Sequence, residues 1–228
     1  MRSRYVSNLL FSLLFVNLIF LQSTFTGCDF QYSTNEEPEI PCYDDTSRIV
    51  AYKPNIYIYP NQTLNLSIKI LFPNGGTILE SIPNYQLSWD IIVNSYGKIN
   101  DTYDYLFYEC EMPNLTQKVY GWIIEKSELE EFFINNMIQS GFNQKETNDF
   151  IEYWIPMLTE SKYYEIYPQY KSTLDKMVVI KYSVEPKSFY RLFYVIKGRD
   201  DDQLELLNPS IEKAKREKYF AVEWGVIL

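Results

Sequence analysis

The pattern that most limits how this chain can fold is the run Leu64, Leu66, Ile68, Ile70 and Phe72, with Asn65, Ser67 and Lys69 between them. Apolar residues spaced by two line one face of a strand but scatter around a helix. Pro60-Asn61 bounds the run on one side and Pro73-Asn74-Gly75-Gly76, a turn signal, on the other. The spacing predicts a strand with one buried and one wet face. Further strands are expected over 55–59, 77–80, 86–93, 103–108 and 119–124, separated by Pro, Asn and Gly.

The period changes at Ser127. Ser127-Glu128-Leu129-Glu130 reads as a capping box, and Leu129, Phe132, Phe133 and Met137 then share a helical face. Gly141 ends that helix. Asn143 to Glu146 reads as a second cap, opening a helix that bears Phe150, Ile151 and Trp154 and stops at Pro156. Strand patterns return over 163–167, 177–184, 189–196 and 219–227, and Ile211 to Lys218 is expected as a short helix. This order predicts an α+β fold, an antiparallel β-sheet domain with an inserted two-helix hairpin.

The first residues read as an address. Arg2 and Arg4 precede an apolar run, Leu9 to Leu21, broken only by Ser12 and Asn17. The run is shorter than the ~20 residues that cross a bilayer core, and it fits the apolar stretch of a signal peptide. Phe25-Thr26-Gly27-Cys28 resembles the bacterial lipobox, in which a small residue precedes a cysteine that receives diacylglycerol. Two acyl chains, at ~0.8 kcal/mol per buried methylene, give a stable anchor where one does not. The expected organisation is a lipoprotein-type signal peptide over 1–27, lipidation at Cys28, an acidic flexible tether over 28–49 and one globular domain over 50–228. The expected location is the extracytoplasmic side of a bacterial membrane, with that membrane as a partner through the lipid anchor. A Cys28 that merely neighbours a cleavage site is the open alternative.

Charge and composition exclude several function classes. The formal charge is −9, and losing Arg2 and Arg4 with the leader takes it to −11. Such a surface repels nucleic acid, so no nucleic-acid partner is expected. The chain contains no histidine. That removes Ser-His-Asp and Cys-His catalysis and His-ligated zinc together. No cofactor and no metal site are expected. Besides Cys28 there are only Cys42 and Cys110. Outside the cytoplasm they can form a disulfide, or they can stay as two buried thiols, and their spacing leaves both open.

Three carboxylates sit inside aromatic strings: Glu109 after Tyr105-Leu106-Phe107-Tyr108, Glu152 before Tyr153-Trp154, and Glu223 between Val222 and Trp224. Apolar surroundings raise a carboxyl pKa and can make a general acid. Glu109 and Glu223 are candidates for a glycan-hydrolysing pair, with Trp224 as a stacking wall. The plainer reading is that each carboxylate points to solvent, and Glu152 is expected to do so. Arg191, within Phe189-Tyr190-Arg191-Leu192-Phe193, is expected to pair with Glu109 or Glu223, either as a core ion pair or as an anion clamp.

Four blocks carry a resemblance: Lys53-Pro54-Asn55-Ile56-Tyr57-Ile58-Tyr59-Pro60, Tyr105-Leu106-Phe107-Tyr108-Glu109, Tyr153-Trp154-Ile155-Pro156 and Val222-Glu223-Trp224-Gly225. Together the chain resembles a bacterial family of uncharacterised exported or cell-envelope proteins, departing from its pattern at Tyr108 and Val226. The resemblance implies a domain running from Lys53 to Gly225 and no particular activity. The functional expectation is an envelope module that binds a ligand, a glycan or a protein partner. The alternative is a carboxylate-dependent hydrolase of envelope glycan.

Overall fold

The computed structural model describes residues 47–228. The leader, Cys28, Cys42 and most of the tether lie outside the described residues. The fold has ten strands and three α-helices among the described residues. The strands are β1 (Arg48–Tyr59), β2 (Leu64–Leu71), β3 (Thr77–Ile82), β4 (Trp89–Val93), β5 (Leu106–Pro113), β6 (Trp122–Glu125), β7 (Tyr163–Tyr170), β8 (Val179–Tyr182), β9 (Ser188–Arg199) and β10 (Phe220–Ile227). Helices α1 (Leu129–Gln139) and α2 (Gln144–Trp154) form the hairpin between β6 and β7, and α3 (Lys171–Leu174) is a single turn. Each strand read from the sequence is present, with shifted ends. Arg48 and Ile49, read as tether, belong to β1.

A seven-stranded sheet runs β3-β5-β1-β10-β9-β7-β6, and a three-stranded sheet runs β4-β2-β8. The expectation of an antiparallel sheet holds for every pair except β9 and β10, which are parallel. Parallel neighbours need a crossover of a dozen or more residues, and residues 200–219 supply it. The large sheet is therefore mixed.

Its two faces build two cores. Ile56, Leu106, Tyr108 and Phe193 face the small sheet, packing with Leu66, Ile68, Ile70, Trp89 and Ile180. The alternation that opened the sequence is thus the inner face of β2. Tyr57, Tyr194, Val222 and Trp224 face the helical hairpin, packing with Leu129, Phe133, Met137, Phe150 and Trp154. Phe150 stands edge-on to Trp224 at 5.3 Å between ring centroids. Helix pair, large sheet and small sheet form three layers.

Local details correct two expectations. The capping box at Ser127 does not form, because residues 126–128 make a 3₁₀ turn that runs straight into α1 and neither start has a side-chain cap. An N-cap must be extended, and Ser127 lies inside the turn instead. The second cap forms in full: Asn143 accepts from the Glu146 amide while Glu146 accepts from the Asn143 amide. The helix expected over 211–218 is absent. Its backbone groups are used elsewhere: the Ala214 N–H donates to Ser140 O, while Glu212 O accepts from Tyr190 and Lys215 O from Ser188.

Candidate functional site

Strand alternation decides what becomes of the predicted carboxylate pair. Tyr108 points between the two sheets, where its hydroxyl donates to Glu223 Oε1 at 2.7 Å. Glu109, the next residue of β5, therefore points to the helix side. Glu223 is wholly buried. Glu109 is half-buried and lines a surface pocket. The two carboxylates lie on opposite faces of one sheet and share no cleft, so the hydrolase pairing is corrected. Trp224 is wholly buried against Phe150 and Tyr57 and offers no stacking wall. Glu152 is exposed, as expected.

Arg191 is the partner of Glu223. They are register neighbours on β9 and β10, and the Arg191 Nε donates to Glu223 Oε2. Its Nη1 donates to Asp175 Oδ1 at 2.9 Å and to Val178 O at 2.6 Å. Burial alone would lower the arginine pKa, but the Glu223 carboxylate beside it raises the value. Arg191 and Glu223 are both fully buried, so this is a core ion pair and not an anion clamp. Cys110 is buried on β5 with no disulfide partner among the described residues, and burial pushes its thiol up to about 12. Cys42 lies outside the described residues, and with it the proposed bridge.

The pocket that Glu109 lines has a volume of about 430 Å³. Its floor is Lys53, at a β1 bulge where the register jumps between Tyr52 and Asn55. Lys53 has φ 50°, a left-handed backbone that residues with long side chains seldom adopt. The other non-glycine residues with positive φ are Asn100 and Asp101, beside Thr102 of the same pocket. Asn and Asp visit that region routinely in turns, so the strained position is Lys53.

The Lys53 ammonium sits over three rings, 4.6 Å from the Tyr153 centroid, 5.1 Å from Phe107 and 5.7 Å from Tyr105. Each element contributes by its own period. Tyr105, Phe107 and Glu109 alternate onto one side along and just before β5, and Lys145, Asp149 and Tyr153 form an i, i+4, i+8 line on α2. Glu80 stands directly opposite Glu109 in the β3–β5 register. Like charges facing each other across a sheet are unfavourable.

The charges on the rim are paired, and those inside are not. Asp104 binds Lys98 at 2.8 Å and Lys145 at 3.4 Å, and Asp149 binds Lys145 at 2.9 Å and the Tyr57 hydroxyl at 2.8 Å. No ion pair within 4.0 Å joins Lys53, Glu80 or Glu109 to any described residue. Burial lowers the Lys53 pKa, and Asp149, Glu109 and Glu80 oppose it only in part. Burial raises the Glu109 pKa, the Lys53 amide N–H pulls it down, and Glu80 adds to the rise.

Sequence reasoning named Glu109 but missed Lys53, Glu80 and Tyr153 as site residues. Three of the four resemblance blocks each supply a pocket residue: Lys53, Glu109 and Tyr153. No group of three or more Cys, Asp or Glu side chains suited to a metal ion occurs among the described residues. No described helix is long and apolar enough to cross a membrane. Compared with family models, curated proteins and solved structures, the chain matches none.

Proposed function

We propose that this protein is a ligand-binding module, exported and held at the envelope through Cys28, whose site is the Lys53 pocket. The single observation that supports the reading is the half-buried pair Lys53 and Glu109, opposite charges that line one cavity with exposed Glu80 beside them and no ion pair among the three. Buried or half-buried charges normally find partners. A ligand that bridges them supplies what the chain withholds.

The chemistry of the bridge follows from the charges. Two free carboxylates repel an anion, and the ammonium over the rings repels a cation. A neutral ligand with hydroxyl groups satisfies both, donating to Glu80 and Glu109 and accepting from Lys53. Ring edges of Tyr105 and Tyr153 offer apolar contact to its C–H faces. A neutral sugar unit of a glycan has these properties. A leader of signal-peptide type supports a setting outside the cytoplasm, where such glycans occur.

The test is saturation-transfer NMR on the full chain with neutral methyl glycosides. The expected result is transfer to one class of glycoside, lost in Tyr153→Ala. The reading is overturned if no glycoside receives transfer, or if the chain cleaves a glycan and Glu109→Gln abolishes that cleavage.

A further inference from the structure

We propose that Lys53 is a carbonyl-capturing amine, which condenses reversibly with the aldehyde of a small hydroxyaldehyde or open-chain reducing sugar inside its pocket. The inference rests on the same pocket being the ligand site, and it adds a covalent step that non-covalent binding does not require.

The placement of the nitrogen is the first argument. A surface lysine is a solvated ammonium and a poor nucleophile. Lys53 is half-buried, rises from a strained bulge and ends in a pocket, with no carboxylate within ion-pairing distance. Its lowered pKa raises the fraction present as free amine. Lys98, Lys145 and Lys171 are each tied to an aspartate and lack this poise.

The second argument is the acid across the cavity. Glu109 lines the pocket with Lys53, and burial holds part of it protonated at a higher pH than an exposed glutamate. The two groups lie beyond ion-pair distance and line one cavity of about 430 Å³, so the amine and the acid are not tied to each other.

The step balances as follows. The Nζ lone pair attacks the carbonyl carbon, a C–N bond forms, and the nitrogen's proton passes to the oxygen to give a carbinolamine. The Glu109 carboxyl gives its proton to the carbinolamine hydroxyl, the C–O bond breaks, and water leaves. A protonated imine remains, and Glu109 regains its proton from solvent. No oxidant or reductant takes part. The imine nitrogen carries one positive charge, as the ammonium did, so Tyr105, Phe107 and Tyr153 hold a cation before and after the reaction.

The experiment treats the full chain with glycolaldehyde and cyanoborohydride, which reduces any imine to a stable secondary amine, and maps the adducts by peptide mass spectrometry. Lys69 and Lys181, exposed neighbours on β2 and β8, are the reference. Lys53 is expected to react faster than either, because burial leaves a larger share of it as free amine. Glu109→Gln is expected to slow Lys53 about a hundredfold, at the low end of general-acid effects, and to leave Lys69 unchanged. Glu109→Asp keeps the carboxyl and is expected to restore part of the rate. Equal rates at Lys53 and the two references overturn the proposal, and so does a Glu109→Gln chain in which all lysines slow alike. Methyl glycosides, which have no aldehyde, separate the two readings. Their binding without preferential labelling defeats the imine alone, and preferential labelling without their binding defeats the non-covalent reading alone.

Discussion

Arg191 and Glu223 are register partners on the parallel pair of the sheet, and their side chains meet in the dry space between the two sheets. Tyr108 binds the carboxylate, Asp175 and Val178 O accept from the guanidinium Nη1, and Nη2 is buried without a partner. Breaking one side of such a pair leaves a buried charge uncompensated. Glu223→Gln is therefore expected to cost about 3–5 kcal/mol of stability in urea unfolding. The double change Arg191→Met with Glu223→Leu is expected to recover most of that loss. If the single change costs under ~1 kcal/mol, the pair is not as dry as described.

Tyr153 lies at the pocket mouth on α2 and is 40% exposed, so its removal opens no core cavity. Tyr153→Ala is expected to weaken ligand binding roughly fivefold, from ~1 kcal/mol of lost ring contact, with little change in melting temperature. Titration of the two proteins with the same glycoside measures it.

Glu109 carries a pKa raised by burial, so the folded state holds its proton to higher pH than the unfolded chain. Folding stability then falls as pH rises from the ordinary carboxyl range, ~4.3, through the raised value. Glu109→Gln removes that penalty. The variant is expected to melt above the parent at pH 7, with the gain shrinking toward zero below ~pH 4. Melting curves across that range decide it, and a gain that persists at low pH refutes the assignment.

Cys110 is buried, with a thiol pushed up to about 12. Thiolate is the reactive species, so iodoacetamide at pH 8 is expected to spare Cys110 in the folded protein and modify it in denaturant. Rapid native labelling shows by mass spectrometry if the site is open.

Much of the fold was legible because it rests on local periods. The alternation in β2 and the Asn143–Glu146 cap survive intact, since each is decided within a few residues. What was not legible depends on distant partners. Nothing local distinguishes the parallel pairing of β9 and β10 from an antiparallel one. Residues 211–218 carry helix-forming residues, yet they are tied to the turn between α1 and α2, where Arg216 donates to Gly141 O and to Glu146. For the site, composition made Glu109 and Glu223 look equivalent, and one step of strand parity separated them. Lys53 was hidden because its significance lies in a backbone angle and in three rings from two distant segments.

At the middle of the large sheet β1 pairs with β10. The central seam joins residues near 50 to residues near 225. Such a seam cannot close before the residues near 225 have left the ribosome. Long-separated contacts also form slowly once the chain is free. A nascent molecule thus stays loose through most of its production and settles only after Ile227 has emerged. That delay would suit the export proposed above, which threads a chain through a narrow channel before it folds.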